Sequence, residues 1–230
     1  MIHLLLVIIY LSFISLGLPD SLLGAAWPMM CQEFSVPVSY AGIIALIIAM
    51  GTVVSSLQSD RMTKWLGTGK VTAISVAMTA AALWGFSVST EYWQLCLWGI
   101  PYGLGAGSVD AALNNYVALH YASRHMSWLH FMWGVGASTG PYIMGMALTG
   151  GLGWNAGYGI IALIQITLAA VLFVSLPIWK KRKTTENQKG EKPKPLSMKQ
   201  IFAIPGAKEV LIAFFCYCGM EQTCILWGSS

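Results

Sequence analysis

Three carboxylates lie inside stretches of this sequence that are otherwise apolar: Asp20, Asp110 and Glu221. A charged side chain near the centre of a bilayer costs about 2.5 to 3.5 kcal/mol, so such a residue usually faces a bundle interior or a water-filled path. Withdrawal from water also raises the pKa of a carboxyl group, which would let it bind and release a proton near neutral pH. We interpret the three acids as candidates for a proton-binding site, with Asp110 as the first of them.

Amide and imidazole side chains accompany these acids. Asp110 and Asn114 are four residues apart and share one helical face, with Asn115 beside them. An acid and an amide together suit hydrogen bonding to a polyol or a proton-dependent contact. His130 lies in another apolar stretch and is either part of a proton relay or a hydrogen-bonded packing residue.

Other kinds of chemistry have no support in the sequence. It contains no nucleophile triad and no phosphate-binding loop, and its five cysteines lack the spacing of a metal site. We interpret these cysteines as small apolar residues. The sequence therefore predicts no enzyme activity, no metal and no cofactor, and leaves the proton as the expected coupling ion.

The elements that must position the acids are membrane-spanning helices. The chain is 56% hydrophobic and 10% charged, whereas soluble proteins are about 25% charged. A spanning helix needs about 20 apolar residues. Six such runs are complete and a seventh opens near residue 208; the six cover residues 4–28, 40–57, 71–89, 92–119, 126–149 and 157–178. The predicted fold class is an all-α membrane protein.

The basic residues indicate how these spans are oriented. All 13 lysines and arginines fall in alternate connections or at their edges, whereas the other connections carry only Glu33, Glu91 and an uncharged segment. The positive-inside rule then predicts a multi-pass protein of the cell membrane with a cytoplasmic N-terminus. This placement argues against a nucleic-acid partner. An aromatic belt is expected to place tryptophans at the outer and inner helix ends: Trp27, Trp93 and Trp154 outside, and Trp65, Trp128 and Trp179 inside.

A short repeat links the first and fourth spans. Residues 17–23 and 107–113 both read G-x-x-D, then a small residue, then Leu two residues on, and Asp110 follows Asp20 by 90 residues. The same shift superimposes spans two and three on spans five and six, so we expect a 3+3 inverted repeat. Around Asp20, Pro19 lacks a backbone donor, and local unwinding or close helix packing is expected there.

Three regions are predicted along the chain. Residues 1–179 would form an N-terminal six-helix transmembrane bundle, residues 180–207 a basic cytoplasmic linker, and residues 208–230 the start of a seventh helix that opens a truncated C-terminal bundle. The chain would then be either a fragment or a truncated gene product, and a C-terminal six-helix half is the expected missing partner.

Three stretches resemble the major facilitator superfamily. Residues 56–61 resemble its G-x-x-x-D-R signature, with Ser56 in place of Gly, and residues 136–141 resemble its G-x-x-x-G-P element. The long basic segment after the sixth span resembles the link between its two halves. The resemblance implies a gating loop that contains Asp60 and Arg61.

Within that superfamily the chain is similar to the fucose permease type. That type has an acid in helix 1, an acid followed by Asn in helix 4, and Y-x-G-x-E in helix 7, which match Asp20, Asp110 with Asn114, and residues 217–221. The resemblance implies a twelve-helix, proton-coupled, alternating-access carrier that moves a sugar or related polyol across the lipid bilayer.

Two alternatives remain open. The first is a drug/proton antiporter. Drug exporters often have Arg in helix 4 shortly before G-x-G, where this chain has Gly99, but the Gly-Pro element at residues 136–141 favours the antiporter. The second is a non-functional truncated half, a remnant or a dimerising half-transporter.

Overall fold

The computed structural model describes residues 2–186, 200 and 202–227. Much of the predicted linker, residues 187–199 and 201, lies outside the described residues. The described secondary structure is helical, and eight α-helices have described bounds: α1 Ile2–Gly17, α2 Leu22–Glu33, α3 Tyr40–Leu66, α4 Thr68–Ser87, α5 Tyr92–His120, α6 Arg124–Thr149, α7 Gly153–Glu186 and α8 Ala207–Trp227.

The first predicted span is two helices rather than one. Residues 18–21 form turns between α1 and α2, with backbone bonds from Asp20 to Gly17 (3.2 Å) and from Leu22 to Pro19 (3.1 Å). Pro19 has no N–H with which to continue the helical ladder. The expected unwinding around Asp20 is therefore present, and it places the acid at the break.

Two helices are longer than the apolar runs that predicted them. α3 continues past residue 57 to Leu66 and ends at Gly67, whose φ is 86°. Asp60 and Arg61 therefore lie on a helix, and the predicted loop placement is wrong. α7 likewise begins at Gly153 and continues to Glu186. Apolarity marks the part of a helix that contacts lipid, and a helix can extend into water on either side.

Four described stretches are long and apolar enough to cross a membrane: Leu4–Glu33, Tyr40–Leu66, Thr68–Ser87 and Gly153–Trp179. α5 and α6 are long enough, at 29 and 26 residues, but lack a window of 18 residues as apolar as those of the four stretches. These two helices carry Asp110, Asn114 and His130. Polar residues within a membrane normally face the interior of the bundle, which explains the lower apolarity of both helices.

The packing of the helices follows the predicted inverted repeat. One triplet consists of α1 with α2, then α3 and α4, and the other of α5, α6 and α7. α1 packs against α6 just as α5 packs against α3, and the two third members, α4 and α7, pack against each other. The first span of each triplet thus contacts the second span of the other, as two inverted repeats require. The predicted fold class is confirmed.

Both of these reciprocal contacts depend on glycine. A Cβ added at Gly136 of α6 would collide with the backbone carbonyl of Ile14 in α1, and one at Gly140 with that of Leu18, directly after α1. A Cβ at Gly103 or Gly107 of α5 would collide with backbone carbonyls of α3. Small residues allow the backbones of membrane helices to approach closely. Glycine therefore holds the acid-bearing span of each triplet against the other triplet.

Tryptophan placement differs in part from the expected belt. Trp27, Trp154 and Trp179 are buried, and Trp27 donates a 2.6 Å hydrogen bond from Nε1 to the carbonyl of Val38. The belt interpretation is wrong for these three, because they pack between helices. Trp65, Trp93 and Trp128 are exposed, as a belt requires.

Large apolar side chains also remain exposed on several helices. Leu57 on α3, Val174 on α7 and Phe215 on α8 are 75%, 81% and 79% exposed. Lipid tails are as apolar as leucine, so a membrane helix gains little by withdrawing such side chains from them. This distribution fits an integral membrane protein.

Candidate functional site

Asp20 is the point at which three spans meet. Its Oδ1 accepts a hydrogen bond from the hydroxyl of Tyr102 on α5 (3.2 Å), and its Oδ2 accepts one from Nε1–H of Trp133 on α6 (2.8 Å). The turn at residues 18–21 frees the acid from the regular helix. The carboxyl group is therefore held by two neutral donors that come from two other helices.

The helix break at Pro19 has a second consequence. A proline cannot donate to the carbonyl four residues earlier, here that of Ser15. Nε2 of Gln165 on α7 donates to this carbonyl, and the Ser15 hydroxyl donates to Oε1 of Gln165 (2.6 Å). Both residues are buried. Gln165 therefore satisfies the backbone group that the break leaves open and ties α1 to α7.

Asp110 and Asn114 form the predicted pair. Nδ2 of Asn114 donates to Oδ1 of Asp110 (2.8 Å), one turn earlier on the same helix. Oδ1 of Asn114 is shielded from solvent and has no hydrogen-bond partner among the described residues. Asn115 is exposed beside the pair.

His130 lies near Asp110. The two residues are close enough to interact electrostatically. The imidazole ring meets the ring of Phe13 edge to face at 6.1 Å, and no hydrogen bond of His130 is found within the described part of the chain. The His130 side chain is exposed, and both interpretations, a proton relay and a packing residue, stay predictions.

Glu221 lies on α8, where its Oε1 accepts a hydrogen bond from the hydroxyl of Tyr217 (3.4 Å). Asp110 and Glu221 both act electrostatically on Asp20. The structure thus brings the three acids of the apolar segments into one electrostatic neighbourhood. We call Asp20, Asp110 and Glu221 the acid cluster.

Asp60 and Arg61 form no part of the acid cluster. Both are exposed near the end of α3, and Asp60 forms an ion pair with Lys64, one helical turn further on. Arg61 has no ion pair within the described residues. Nor does any group of three or more His, Cys, Asp or Glu residues in the described ranges have the arrangement of a metal site.

Tyr102 and Trp133 are the residues that sequence reasoning missed. They are 82 and 113 residues from Asp20, so no helical spacing connects them with it. Neither residue is among the predicted site residues. Neither residue type is unusual in an apolar helix, and the sequence therefore carries no signal for this contact.

Comparison with known families decides the class of protein. A family profile described as Major Facilitator Superfamily matches residues 9–229, nearly the whole chain. The chain belongs to the Major Facilitator Superfamily. No curated protein matches the chain significantly. The superfamily consists of transporters, so the acids of this chain lie in a transport protein.

Membership also explains how the helices relate to the whole fold. α1 to α7 supply six spans in two inverted triplets, which is one half of a superfamily transporter, and α8 corresponds to the seventh span. Asp20 of the acid cluster lies where the two triplets meet, and α8, which carries Glu221, packs against α2. Substrate and coupling-ion sites of such repeat transporters lie at the interface between repeats.

Proposed function

We propose that this chain forms the first half, and the beginning of the second, of a proton-coupled carrier of the fucose permease type. It would move a neutral sugar or related polyol across the cell membrane by alternating access, with its N-terminus in the cytoplasm. The observation that carries this proposal is the Asp110–Asn114 pair, an acid and an amide in contact within an apolar helix.

The groups near the acid cluster suit a neutral, hydroxyl-rich solute. Tyr102, Asn114, Asn115 and Trp133 offer hydroxyl, amide and indole groups, which donate and accept hydrogen bonds without adding charge. The lysines and arginines of the described helices lie toward helix ends instead: Arg61, Lys64, Lys70, Arg124, Lys180, Lys181, Arg182, Lys183 and Lys208. An anionic solute would need such cations at the site.

Proton coupling is supported by the neutral character of the hydrogen-bond donors described at Asp20 and Asp110. Asp20 is bonded to Tyr102 and Trp133, and Asp110 to Asn114, so the hydrogen-bond donors described at both acids are neutral. A carboxylate in a membrane that lacks a cationic partner can lose its charge by taking up a proton. Reversible charge on an acid that lines the solute path is what coupling requires.

Uptake into proteoliposomes that carry the full-length protein tests both parts of the proposal. We expect a panel of radiolabelled hexoses and hexitols to include a solute that accumulates when the outside is made acidic, and a protonophore to abolish this accumulation. Protein-free liposomes are the control. Uptake that does not depend on the pH gradient would reject proton coupling. A lack of uptake for every solute in the panel would reject sugars and polyols as the substrate class.

A drug/proton antiporter is the second candidate. The Gly-Pro element at residues 136–141 favours it, and Gly136 and Gly140 of this element form the close contact with α1 and the turn that follows it. Against it, Gly99 lies beside Ile47 and Ile48 of α3, with 3.4 and 3.6 Å to a Cβ built there, so the arginine of many exporters has no counterpart. Expression of the full-length protein in cells tests drug export. If the concentrations of varied lipophilic compounds that inhibit growth do not change, drug export is excluded.

A further inference from the structure

Only one of the two polar atoms of the Asn114 side-chain amide has a hydrogen-bond partner among the described residues. Its Nδ2–H donates to Asp110, but its Oδ1 atom is shielded from solvent and receives no hydrogen bond from any described residue. Buried polar atoms are nearly always paired, and an unpaired carbonyl oxygen carries a free-energy penalty. Exchanging the amide nitrogen and oxygen would not help, because it would place the oxygen against the carboxylate.

A change in Asp110 itself can supply the missing donor. An ionised carboxylate only accepts hydrogen bonds, whereas a protonated one also has an O–H that donates. Asp110 already contacts this amide through one oxygen. With a proton on its other oxygen, acid and amide can form two bonds: N–H to the carboxyl group, and O–H to Oδ1 of Asn114.

Asp20 has the opposite surroundings. Both of its oxygens accept hydrogen bonds, from Tyr102 and from Trp133. An indole N–H can only donate, so a proton on Oδ2 would face the N–H of Trp133. At Asp20 only Oδ1, which faces the hydroxyl of Tyr102, is placed to carry a proton, because that hydroxyl can accept as well as donate. At Asp110 a proton would add a hydrogen bond that the ionised form lacks.

The charged groups around Asp110 are few. His130 on α6 interacts with it electrostatically, and Asp110 and Asp20 repel each other when both are ionised. α3 and α4, the other helices packed on α5, carry their charged groups where α3 leads into α4: Asp60, Arg61, Lys64 and Lys70. An ionised Asp20 would therefore favour the neutral form of Asp110.

We propose that Asn114 is the positioning residue that holds the transported proton on Asp110, with Oδ1 of Asn114 accepting the hydrogen bond from the protonated carboxyl group. A hydronium ion gives its proton to a carboxylate oxygen of Asp110, an O–H bond forms and a water molecule is left; release is the reverse. No electron transfer is involved. That the proton is a transported one rests on the proposed function; the acid–amide pair does not.

Infrared difference spectroscopy of the chain in lipid, between alkaline and acidic pH, tests the pair directly. We expect a C=O stretching band from a protonated carboxyl group that is lost in Asp110→Asn. In Asn114→Leu the band should shift to higher wavenumber, because its hydrogen bond to the amide is lost. Asn115→Leu, the neighbouring exposed amide, is the matched control and should leave the band in place. In Asn114→Gln, which keeps an amide, the band should lie between its positions in wild type and in Asn114→Leu.

Two results would overturn the proposal: a carboxyl band that survives in Asp110→Asn, or one that stays at its wild-type position in Asn114→Leu. In the second case Oδ1 of Asn114 would be free to bind a solute hydroxyl. The spectra need no transport, so the outcomes are separable. The expected band shifts with no uptake would reject only the carrier function, and coupled uptake with an unmoved band would reject only the role of Asn114.

Discussion

Asp20 and Asp110 occupy equivalent positions of an inverted repeat, yet their surroundings differ. Asp20 lies in a break between two helices, and its partners come from two other spans. Asp110 lies within the continuous helix α5, and its partner is one turn away on the same helix. The repeat thus determines where each acid lies in the fold, but the hydrogen-bond partners of the acid differ between the two triplets.

The sequence difference behind this contrast is small. Asp20 is preceded by Pro19, and Asp110 by Val109. Val109 is buried within the unbroken helix α5, whereas Pro19 removes the hydrogen bond to the carbonyl of Ser15. The break costs α1 a backbone bond, which Gln165 replaces, and gives Asp20 access to donors on α5 and α6. The acid of the first triplet therefore bonds to other helices, whereas the acid of the second triplet bonds within its own helix.

The largest loss of stability is expected from a substitution at the contact between α6 and α1, the helix that leads to Asp20. A Cβ at Gly136 would collide with the Ile14 carbonyl of α1, whereas a Cβ at Gly134, on the same helix, would meet nothing within 4 Å. Gly136→Val should cost at least about 3 kcal/mol, the upper range for overpacking, because backbone must move. Gly134→Val should cost less than about 1 kcal/mol. Unfolding in a denaturing detergent measures both, and equal losses would reject the close contact of α1 with α6.

The two acids should differ in their effect on transport. Asp110→Asn should abolish accumulation driven by a pH gradient while solute exchange without a gradient persists, because an amide is neutral at every pH. Asp20→Asn should lower the rate but keep the dependence on the gradient, because it disturbs the contacts with Tyr102 and Trp133 and leaves the Asp110–Asn114 pair in place. Proteoliposome uptake measures both variants. The reverse pattern would assign the transported proton to Asp20.

Much of the fold could be predicted from sequence because the membrane imposes a simple rule. Apolar runs located six spans. Helix ends could not be located, since the membrane limits apolarity rather than helix length. Residues 58–66, which contain Asp60 and Arg61, are polar and helical at once, so the end of the apolar run at residue 57 was not the end of α3.

The site was predictable only in part. Its acids stand out because charge is costly in an apolar segment, and the contact of Asp110 with Asn114 follows from helical spacing. The donors to Asp20 depend instead on how distant helices pack, which no local pattern encodes. Tryptophan at position 133 suits both an apolar contact and a hydrogen bond, and only the packed structure distinguishes the two.

Trp133→Phe probes the ties between helices at Asp20. It removes one N–H donor from a carboxylate and keeps an aromatic ring, so the expected loss is about 1.5 to 3 kcal/mol, the range for hydrogen bonds to charged groups. Trp128→Phe, on the same helix and 51% exposed, is the matched control and should cost less than about 0.5 kcal/mol. Detergent-induced unfolding measures both, and equal stability would mean that the bond to Asp20 contributes nothing.

Gln165→Leu probes the compensation for the helix break. Leucine leaves the Ser15 carbonyl and hydroxyl without the partner seen here, and a buried group that loses its partner costs about 1 to 3 kcal/mol. Thr167→Val, on an exposed part of the same helix where the hydroxyl bonds only to the Leu163 carbonyl, is the control and should be nearly neutral. A thermal unfolding temperature unchanged by Gln165→Leu would show that the break needs no replacement bond.

The smallest effect on stability is expected from a substitution in the Asp110–Asn114 pair, which lies within one helix. Asn114→Leu removes one hydrogen bond within a single helix, worth about 0.2 to 0.5 kcal/mol, and also removes the unpaired Oδ1 atom, so the two changes oppose each other. Unfolding in detergent should therefore place Asn114→Leu within about 0.5 kcal/mol of wild type, well below the loss for Trp133→Phe. A loss as large as that of Trp133→Phe would mean that Asn114 also ties α5 to another helix. The contrast between a cross-helix acid and a local one would then fail, because both copies of the repeat would hold the bundle together through their acids.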